Sequence, residues 1–235
     1  MIMKALRLKL FQETACYKKP FASKVAETYP LPPYSTVKGM IHALLRADRF
    51  IPMRLSVQGE YEAKLLDYQR HYFFKKRDVA AFPLILDGIQ DELFSYDAKE
   101  ITTMPIYTHL LYRVDLLIHV EAEKEVLERI IQAIETGENH YSLGRWEDLV
   151  RIDEYKIVQV DELDEEKDLR YYAYIPHHLL DIDIKHIPYE LPWKYEVVNG
   201  VRKWEKVSVG YVRKGTTAPE GACIDEDGEL VFFHL

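Results

Sequence analysis

The chain has 235 residues, 48% hydrophobic and 30% charged, with a net charge of −8 at pH 7. This composition is typical of a globular protein and excludes a disordered chain. Its apolar runs fall well short of the roughly 20 residues that a membrane span needs, and no secretion signal is visible at the first residues. Cys16 and Cys223 lie far apart in sequence, which argues against a cysteine metal site and makes the reducing cytoplasm the expected location.

The first half of the chain predicts two strands with a helix between them. Residues 3–11 alternate between apolar and charged side chains, as half-buried strands do. Ser35 stands where a helix N-cap is expected, and apolar residues at helical spacing predict a helix as far as about residue 47. Residues 55–61 alternate again, and residues 62–111 are interpreted as an insertion that contains a hairpin.

The next segments repeat this order. A strand is predicted over residues 112–120, a helix over residues 123–135 that stops at Gly137, and a strand over residues 149–160. The whole pattern is β-α-β, an insertion and β-α-β, which is the order of a ferredoxin-like α+β domain.

The remaining residues predict a second, smaller region. Residues 161–168 form an acidic run that is interpreted as a linker. Asn199-Gly200 between two alternating segments predicts a β-hairpin with a type I′ turn. We therefore expect a ferredoxin-like domain at residues 1–160 and a small β-rich unit at residues 161–235.

The charge is unevenly distributed along the chain. Residues 1–80 contain 15 Lys and Arg against 7 Asp and Glu, whereas residues 81–235 contain 16 against 32. Phosphate binding depends on where the cations lie and not on their total. The basic first third is therefore either a nucleic-acid-binding surface or a chance asymmetry.

The most informative segment is T-Y-P-L-P-P-Y-S-T-V-K-G-M-I-H at residues 28–42. Its prolines stiffen the approach to a helix whose first N–H groups lack partners, and such a helix end binds anions. Ser35, Thr36 and Lys38 would add hydroxyl and ammonium contacts to a phosphate. The alternatives are that Ser35 is only a cap and that Gly39 only allows a close contact between helix and sheet.

This segment resembles the signature of the Cas-five family of CRISPR-associated proteins. A second segment, Y-S-L-G-R-W-E-D-L at residues 141–149, is similar to the family's L-G-R-x-E-D element. The two stand in the family's order, residues 1–150 follow its layout, and the Pro-Pro-x-Ser-Thr-Val form is most like the type I-B subtype. Residues 160–235 match only by their β-rich character.

The resemblance implies a ferredoxin-like, RRM-like RNA-binding core of the RAMP type that caps one end of the Cascade antiviral complex. Such a subunit holds the 5′ handle of the CRISPR RNA (crRNA) and contacts the backbone subunit and the large subunit, with no membrane and no small-molecule cofactor. The family's inserted β-hairpin, the thumb, would correspond to the insertion at residues 62–111. These expectations rest on analogy between folds and motifs.

Single-stranded RNA is usually held by aromatic rings that stack on bases beside a cationic groove. The basic first third supplies both kinds of side chain, although about half of the tyrosines are expected in the core. Arg145 would either reach a phosphate or pair with Glu147 or Asp148. The candidate RNA-binding residues are Lys18, Lys19, Lys24, Tyr29, Tyr34, Ser35, Thr36, Lys38, Gly39, His42, Arg70, Gly144 and Arg145.

Some relatives, in type I-C systems, cut precursor RNA without a metal by means of a tyrosine, a lysine and a histidine. Such cleavage needs a base for the 2′-hydroxyl, an acid for the leaving oxygen and a cation for the phosphorane. Here the candidates for such a set are Tyr29 or Tyr34, Lys38, and His42 or His71. Type I-B systems generally use a separate endonuclease, so the resemblance predicts a non-catalytic subunit. The alternative is a metal-independent endoribonuclease that processes precursor crRNA.

Other enzyme classes find little support in the sequence, which lacks a phosphate loop, a dinucleotide-binding motif and a nucleophile elbow. One cluster suggests a metal site: His177, His178, Asp181 and Asp183. Adjacent residues on a strand point to opposite faces, however, and rarely bind one ion. We therefore expect neither a metal nor a cofactor.

Overall fold

The computed structural model describes residues 3–20, 22, 25–74, 101–137 and 140–234. The strands are β1 Met3–Ala15, β2 Val25–Ala26, β3 Arg54–Phe74, β4 Ile101–Glu121, β5 Arg151–Glu162, β6 Tyr172–Pro176, β7 His186–Val198, β8 Val201–Val212, β9 Cys223–Asp225 and β10 Leu230–Val231. The helices are α1 Tyr34–Leu44 and α2 Lys124–Thr136, and a short 3-10 helix runs over His177–Leu179. Among the described residues, no helix is long and apolar enough to cross a membrane.

The ten described strands form one sheet. Its order is β10-β9-β5-β1-β4-β3-β6-β8-β7, and the short β2 pairs in parallel with β4. All the other pairings are antiparallel. A mainly β fold with two helices agrees with the predicted α+β class, whereas the ferredoxin-like detail stays a prediction. The sheet is larger than the four predicted core strands because the C-terminal strands join it.

Both helices pack on the same face of this sheet. α1 connects β1 to β3, and α2 connects β4 to β5. Leu6, Leu8 and Leu10 of β1 point toward the helices and are buried, as the alternation predicted. Burying these side chains against the apolar stripes of α1 and α2 provides the main core of the protein.

The start of α1 differs from the prediction. The N-cap residue is Pro33, so the predicted cap at Ser35 is wrong. The Pro33 carbonyl accepts hydrogen bonds from the N–H groups of Thr36 and Val37, at 2.9 and 3.2 Å, which places Ser35 inside the first turn. Pro33 has a φ of −58°, close to the value that its ring imposes, and it therefore leads into the helix without strain.

Two turns predicted from single residue types are confirmed. Gly137 ends α2 in the left-handed conformation with φ 61°, and its N–H donates to the Ile134 carbonyl. Asn199 and Gly200, with φ 51° and 76°, connect β7 to β8 in the positive-φ conformation that a type I′ turn needs.

The β3–β4 hairpin is much longer than the predicted strands. Its ladder runs from Arg54 opposite Glu121 to Phe74 opposite Ile101. The insertion expected at residues 62–111 therefore begins as a continuation of this ladder. Residues 75–100, which include the rest of that insertion, lie outside the described residues.

The C-terminal strands extend the sheet at both of its edges. β6 pairs with β3 and leads to β8 and β7, whereas β9 pairs with β5 on the opposite side. The division into residues 1–160 and 161–235 stays a prediction, and one sheet runs across it. His177 and His178, predicted to lie on a strand, belong instead to the short 3-10 helix.

A buried ion cluster fixes the β9 edge. The Asp225 carboxylate accepts hydrogen bonds from Arg7 at 2.7 Å, from His119 at 3.0 Å, and from the N–H groups of Asp227 and Glu229. Burial alone would raise the pKa of Asp225, but these hydrogen bonds outweigh it and hold the pKa well below its ordinary value. Burial lowers the pKa of His119, so this imidazole is held neutral beside the carboxylate. The cluster connects β1 and β4 to the C-terminal segment.

Candidate nucleic-acid interface

An open groove lies between the flank of α1 and the β7–β8 hairpin, and we call it the α1 groove. It consists of two cavities, of about 660 and 410 Å³, that share Ser35, Gly39 and Trp204 in their lining. Volumes of this size are typical of ligand-binding clefts. The α1 groove is therefore the candidate binding site.

The larger cavity brings together segments that lie far apart in the chain. Its lining includes Lys18 from the turn after β1 and Gly144 from the loop after α2. The remaining predicted residues in this lining come from the proline-rich segment and from α1: Tyr29, Ser35, Thr36 and Gly39. Six of the thirteen predicted residues therefore line one cavity.

The smaller cavity contains two further predicted residues of α1. Lys38 and His42 line it together with Phe50 from the loop that leads to β3. The opposite wall comes from the hairpin, through Lys194 and Tyr195. The two cavities thus follow the exposed side of α1 along its length.

α1 presents both its N-terminal end and its flank to the groove, because Pro33, Ser35 and Thr36 line the larger cavity. Pro33 and Tyr34 at that end are buried, and the Pro33 carbonyl already accepts the N–H groups of Thr36 and Val37. On the flank, a Cβ added to Gly39 would meet nothing within 4 Å. Gly39 therefore faces open space, and the alternative of a close contact between helix and sheet is wrong.

Lys38 is held by contacts within the protein. Its ammonium group donates a hydrogen bond to the Trp193 carbonyl. It also lies over two aromatic rings, 4.4 Å from the centre of Trp193 and 5.1 Å from that of Phe50. Burial, followed by repulsion from Lys194, lowers the pKa of Lys38 to about 8. Lys38 is therefore an ordered part of the groove wall, and its ammonium group already points at a carbonyl oxygen of the protein.

His42 uses both nitrogens of its ring. Its Nε2 accepts a hydrogen bond from the N–H of Ile51 at 3.0 Å, so its Nδ1 carries the proton and donates to the Lys38 carbonyl at 2.8 Å. Burial lowers the pKa of His42. The imidazole is therefore neutral and fixed between the last turns of α1 and the loop that follows.

The loop with the second motif is fixed by Asp148. This buried carboxylate accepts the backbone N–H groups of Cys16 and Arg145, at 2.9 and 2.8 Å, and pairs with the Arg145 guanidinium at 2.7 Å. Arg145 also pairs with Glu147 at 2.8 Å. Of the two roles left open for Arg145, the structure has the internal ion pair.

Gly144 is required as a glycine in this loop. Its φ is 115°, a conformation that side chains rarely adopt. A Cβ there would lie 2.7 Å from an Asp148 oxygen and 3.0 Å from the Cys16 carbonyl. The glycine thus allows the loop to fold tightly against the end of β1, where it forms one side of the larger cavity.

The predicted tyrosines are mostly inside the protein. Tyr34 has no exposed surface and packs edge-on against Tyr174 and Trp193, so it offers no face to a base and its assignment as an RNA contact is wrong. Tyr29 is also largely buried, against Tyr189, and only part of it reaches the larger cavity. Both lie in the core because the proline-rich segment crosses the sheet before α1 begins.

Replacing Tyr34 by phenylalanine should leave RNA binding unchanged within twofold and leave the free energy of unfolding equal or about 1 kcal/mol higher. The reason is that the buried Tyr34 hydroxyl has no hydrogen-bond partner among the described residues. Tyr174→Phe is the matched control, because the Tyr174 hydroxyl donates to the Leu31 carbonyl at 2.8 Å and its loss should destabilise the fold. Urea denaturation and gel-shift titration measure both; a fivefold loss of RNA affinity in Tyr34→Phe would contradict its assignment to the core.

The remaining predicted lysines and arginine are distributed more widely. Lys19 pairs with Glu27 at 2.7 Å and lies over the rings of Tyr29 and Tyr189. Lys24 lies outside the described residues. Arg70 is on the distal part of β3 and lines neither cavity of the groove.

The hairpin wall of the groove was missed by the sequence analysis. It consists of Glu190, Pro192, Lys194, Tyr195, Trp204 and Lys206. The Asn-Gly turn predicted the hairpin itself, and Trp204 and Lys206 stand two positions apart on one face of β8. No local signal, however, indicated that this face lies opposite α1.

The fold and the groove define a β-rich protein with an open cleft beside α1, and comparison with known proteins gives its family. The model of the family "CRISPR-associated protein (Cas_Cas5)" matches residues 5–204. The chain therefore belongs to this family. No curated protein matches the chain.

Three solved structures are similar to this chain at low sequence identity, and the first of them supports the fold. A chain of a "CRISPR RNA-guided surveillance complex" is 15% identical with a TM-score of 0.55, over 92% of this chain and 91% of that one. A CRISPR protein from Archaeoglobus fulgidus is 13% identical with a TM-score of 0.48, over 97% and 98%. A "Cas protein" is 13% identical with a TM-score of 0.42, over 92% and 95%.

Proposed function

We propose that this chain is an RNA-binding subunit of a type I surveillance complex of the Cascade kind, and that it holds the 5′ handle of the crRNA in the α1 groove. The observation that carries the proposal is the convergence of two motifs on one cavity. Thr36 and Gly39 of the first motif and Gly144 of the second line the same open space. Motifs that served packing alone would not need to meet at a cavity.

The charge of the groove supports an anionic ligand. Its lining contains more basic than acidic side chains: Lys18, Lys38, Arg49, Lys194 and Lys206 against Asp48 and Glu190. The ammonium groups of Lys18 and Lys206 are exposed and, within the described part of the chain, form no ion pair or hydrogen bond. A locally positive groove on a protein of net charge −8 attracts phosphates where the cations are concentrated.

The proposal also assigns the other parts of the fold. The order β5-β1-β4-β3, with α1 and α2 on one face, is the order expected of the ferredoxin-like RNA-binding core. The long β3–β4 hairpin would be the thumb that contacts the backbone subunit, and the large subunit would be a further partner. The likeness to a chain of a surveillance complex supports this placement. We extend it to the type I-B subtype on the Pro-Pro-x-Ser-Thr-Val motif, and to the cytoplasm.

A non-catalytic role is supported by the state of the candidate catalytic side chains. The Tyr34 hydroxyl is buried, and both nitrogens of His42 are hydrogen-bonded. His71 lies on the distal part of β3, away from the groove. Acid–base catalysis requires a free group within hydrogen-bond reach of the substrate proton. Tyr34 and His42 offer no such group to the groove, and His71 does not line it.

A metal-independent endoribonuclease is the second candidate. One observation favours it: Lys38, with a pKa lowered to about 8, and His42 line the same cavity one helical turn apart. A lysine with such a pKa is a better proton donor near neutral pH than an ordinary lysine. Its hydrogen bond to the Trp193 carbonyl would have to break before it acted.

Incubating the purified chain with labelled CRISPR repeat RNA in EDTA separates the two candidates. We expect a band shift with the RNA left intact, and weaker binding to an RNA of equal length without the handle sequence. Cleavage by the wild type that is lost in His42→Ala or Lys38→Ala would establish the endoribonuclease instead. Absence of any shift, with a folded protein, would contradict RNA binding itself.

A further inference from the structure

We infer that Trp204, on the β7–β8 hairpin, is the residue on which one unpaired base of the bound RNA stacks. This inference rests on the proposed function and names the contact that the hairpin makes. The hairpin lies after both motifs in the chain. It belongs to residues 160–235, which the sequence analysis related to the family only by their β-rich character.

The base of the hairpin is anchored in the core. A register shift between Pro192 and Lys194 turns Trp193 inward, where it is buried and lies 4.3 Å from His234, between ring centres. Bulges of this kind re-aim a side chain and bend the strand. The hairpin beyond the bulge is therefore held at a fixed position beside α1.

Above this anchor, two aromatic rings form a cross-strand pair. Tyr195 and Trp204 lie opposite each other in the ladder, with ring centres 5.0 Å apart, and are 44% and 39% exposed. The Arg202 guanidinium lies 4.5 Å from the centre of the Tyr195 ring. Tyr195 and Arg202 thus support the indole, so that its orientation is set before any ligand arrives.

Trp204 lies where the two cavities of the α1 groove meet. It lines both of them, and so do Ser35 and Gly39 on the opposite wall. Because a Cβ on Gly39 would meet nothing within 4 Å, the space across from the indole is open. An aromatic side chain that faces such a space offers a surface on which a flat base can stack.

The cations are arranged to hold the phosphates on either side of such a base. Lys18 and Lys206 line the larger cavity, and Arg49 and Lys194 line the smaller one. Lys194 is partly neutralised by Glu205 at 2.9 Å, so the free positive charge is greater at the larger cavity. A phosphate in the larger cavity and a base on Trp204 would belong to the same nucleotide. That nucleotide would be single-stranded, because a base inside a duplex is already stacked on its neighbours.

The test compares Trp204→Ala and Trp204→Phe with a control, Tyr155→Ala, for binding to the labelled repeat RNA. Tyr155 is 38% exposed, close to the exposure of Trp204, but lines neither cavity. We expect Trp204→Ala to bind roughly 5- to 100-fold more weakly, Trp204→Phe to lose less than about fivefold, and Tyr155→Ala to bind like the wild type. Binding by Trp204→Ala within twofold of the wild type overturns the inference while the proposed function stands.

Two further results keep the outcomes apart. RNA should quench the tryptophan fluorescence of the wild type more than that of Trp204→Phe, which tests the contact even where the alanine variant fails to fold. Equal quenching in both proteins overturns the inference. If the wild type itself binds no RNA, the proposed function fails first. If Trp204→Ala keeps its RNA affinity but no longer co-purifies with other subunits, the hairpin is a protein contact and the inference is wrong.

Discussion

Replacing Asp225 by alanine is expected to lower the free energy of unfolding by about 3–5 kcal/mol, the usual cost of removing one partner from a buried ion pair. The Asp225 side chain is fully buried, and Arg7 beside it is only 4% exposed. Without the carboxylate, the His119 Nε2 and the N–H groups of Asp227 and Glu229 would lose their acceptor. The C-terminal segment would keep its pairing with β5 and the outer ion pairs of Lys156, but would lose its buried charged contact with β1 and β4.

Asp227→Ala is the matched control, because Asp227 also pairs with Arg7, at 2.8 Å, but its side chain is 42% exposed. Exposed ion pairs contribute about 1 kcal/mol or less, so this variant should be close to the wild type. Urea denaturation at pH 7, followed by circular dichroism, measures both. Equal losses in the two variants would show that burial of the Asp225 carboxylate is unimportant.

The effect of pH on the same variant follows from the direction of the pKa shift. Because the pKa of folded Asp225 lies below the ordinary value of 3.8, its contribution to stability is present above that pH and is lost as the pH falls. The difference between wild type and Asp225→Ala should therefore be full at pH 7 and become smaller under strongly acidic conditions.

Much of the fold could be predicted because its signals are local. The alternation in β1, the apolar stripe of α2, and the turns at Gly137 and Asn199-Gly200 each depend on a few neighbouring residues. The start of α1 was misplaced by two residues, at Ser35 instead of Pro33. A proline and a serine both suit the beginning of a helix, and the tertiary path of the segment decided between them.

The arrangement of the C-terminal strands had no such signal. In the backbone ladder, β6 pairs with β3 at only two positions, Gln58 and Gly59, and β9 pairs with β5 at three. Such pairings are set by packing between elements that lie far apart in sequence. The residues near position 160 therefore suggest a boundary between two units, although one sheet extends across it.

The site was predicted in part. Residues of both motif segments line one cavity, yet the roles of several side chains depend on distant partners. Lys38 is held by Trp193, which is 155 residues away, and Tyr34 packs against Tyr174. Trp204 and Lys206 were overlooked because nothing near them in sequence indicates that their strand faces α1.

Removing the two free cations of the larger cavity is expected to weaken RNA binding strongly. The double variant Lys18→Gln/Lys206→Gln should bind the handle RNA on the order of tenfold more weakly near 0.1 M salt, because each lost phosphate contact forfeits the release of about 0.7 counterion from a single strand. Neither ammonium group has a partner in the described protein, so the fold should be little affected.

Lys4→Gln/Lys124→Gln is the matched control. Lys4 and Lys124 line a cavity of about 1210 Å³ on another part of the molecule, near the start of α2. The control removes the same charge from the whole protein. It therefore separates a local contact with RNA from a general effect of net charge.

The decisive measurement is the salt dependence of handle-RNA binding by the wild type and these two double variants. If RNA lies in the α1 groove, the slope of log K against log salt should fall by roughly 1.4 in Lys18→Gln/Lys206→Gln and stay unchanged in Lys4→Gln/Lys124→Gln. A reduced slope in the Lys4/Lys124 variant, with the Lys18/Lys206 variant behaving like the wild type, would place the RNA elsewhere on the protein.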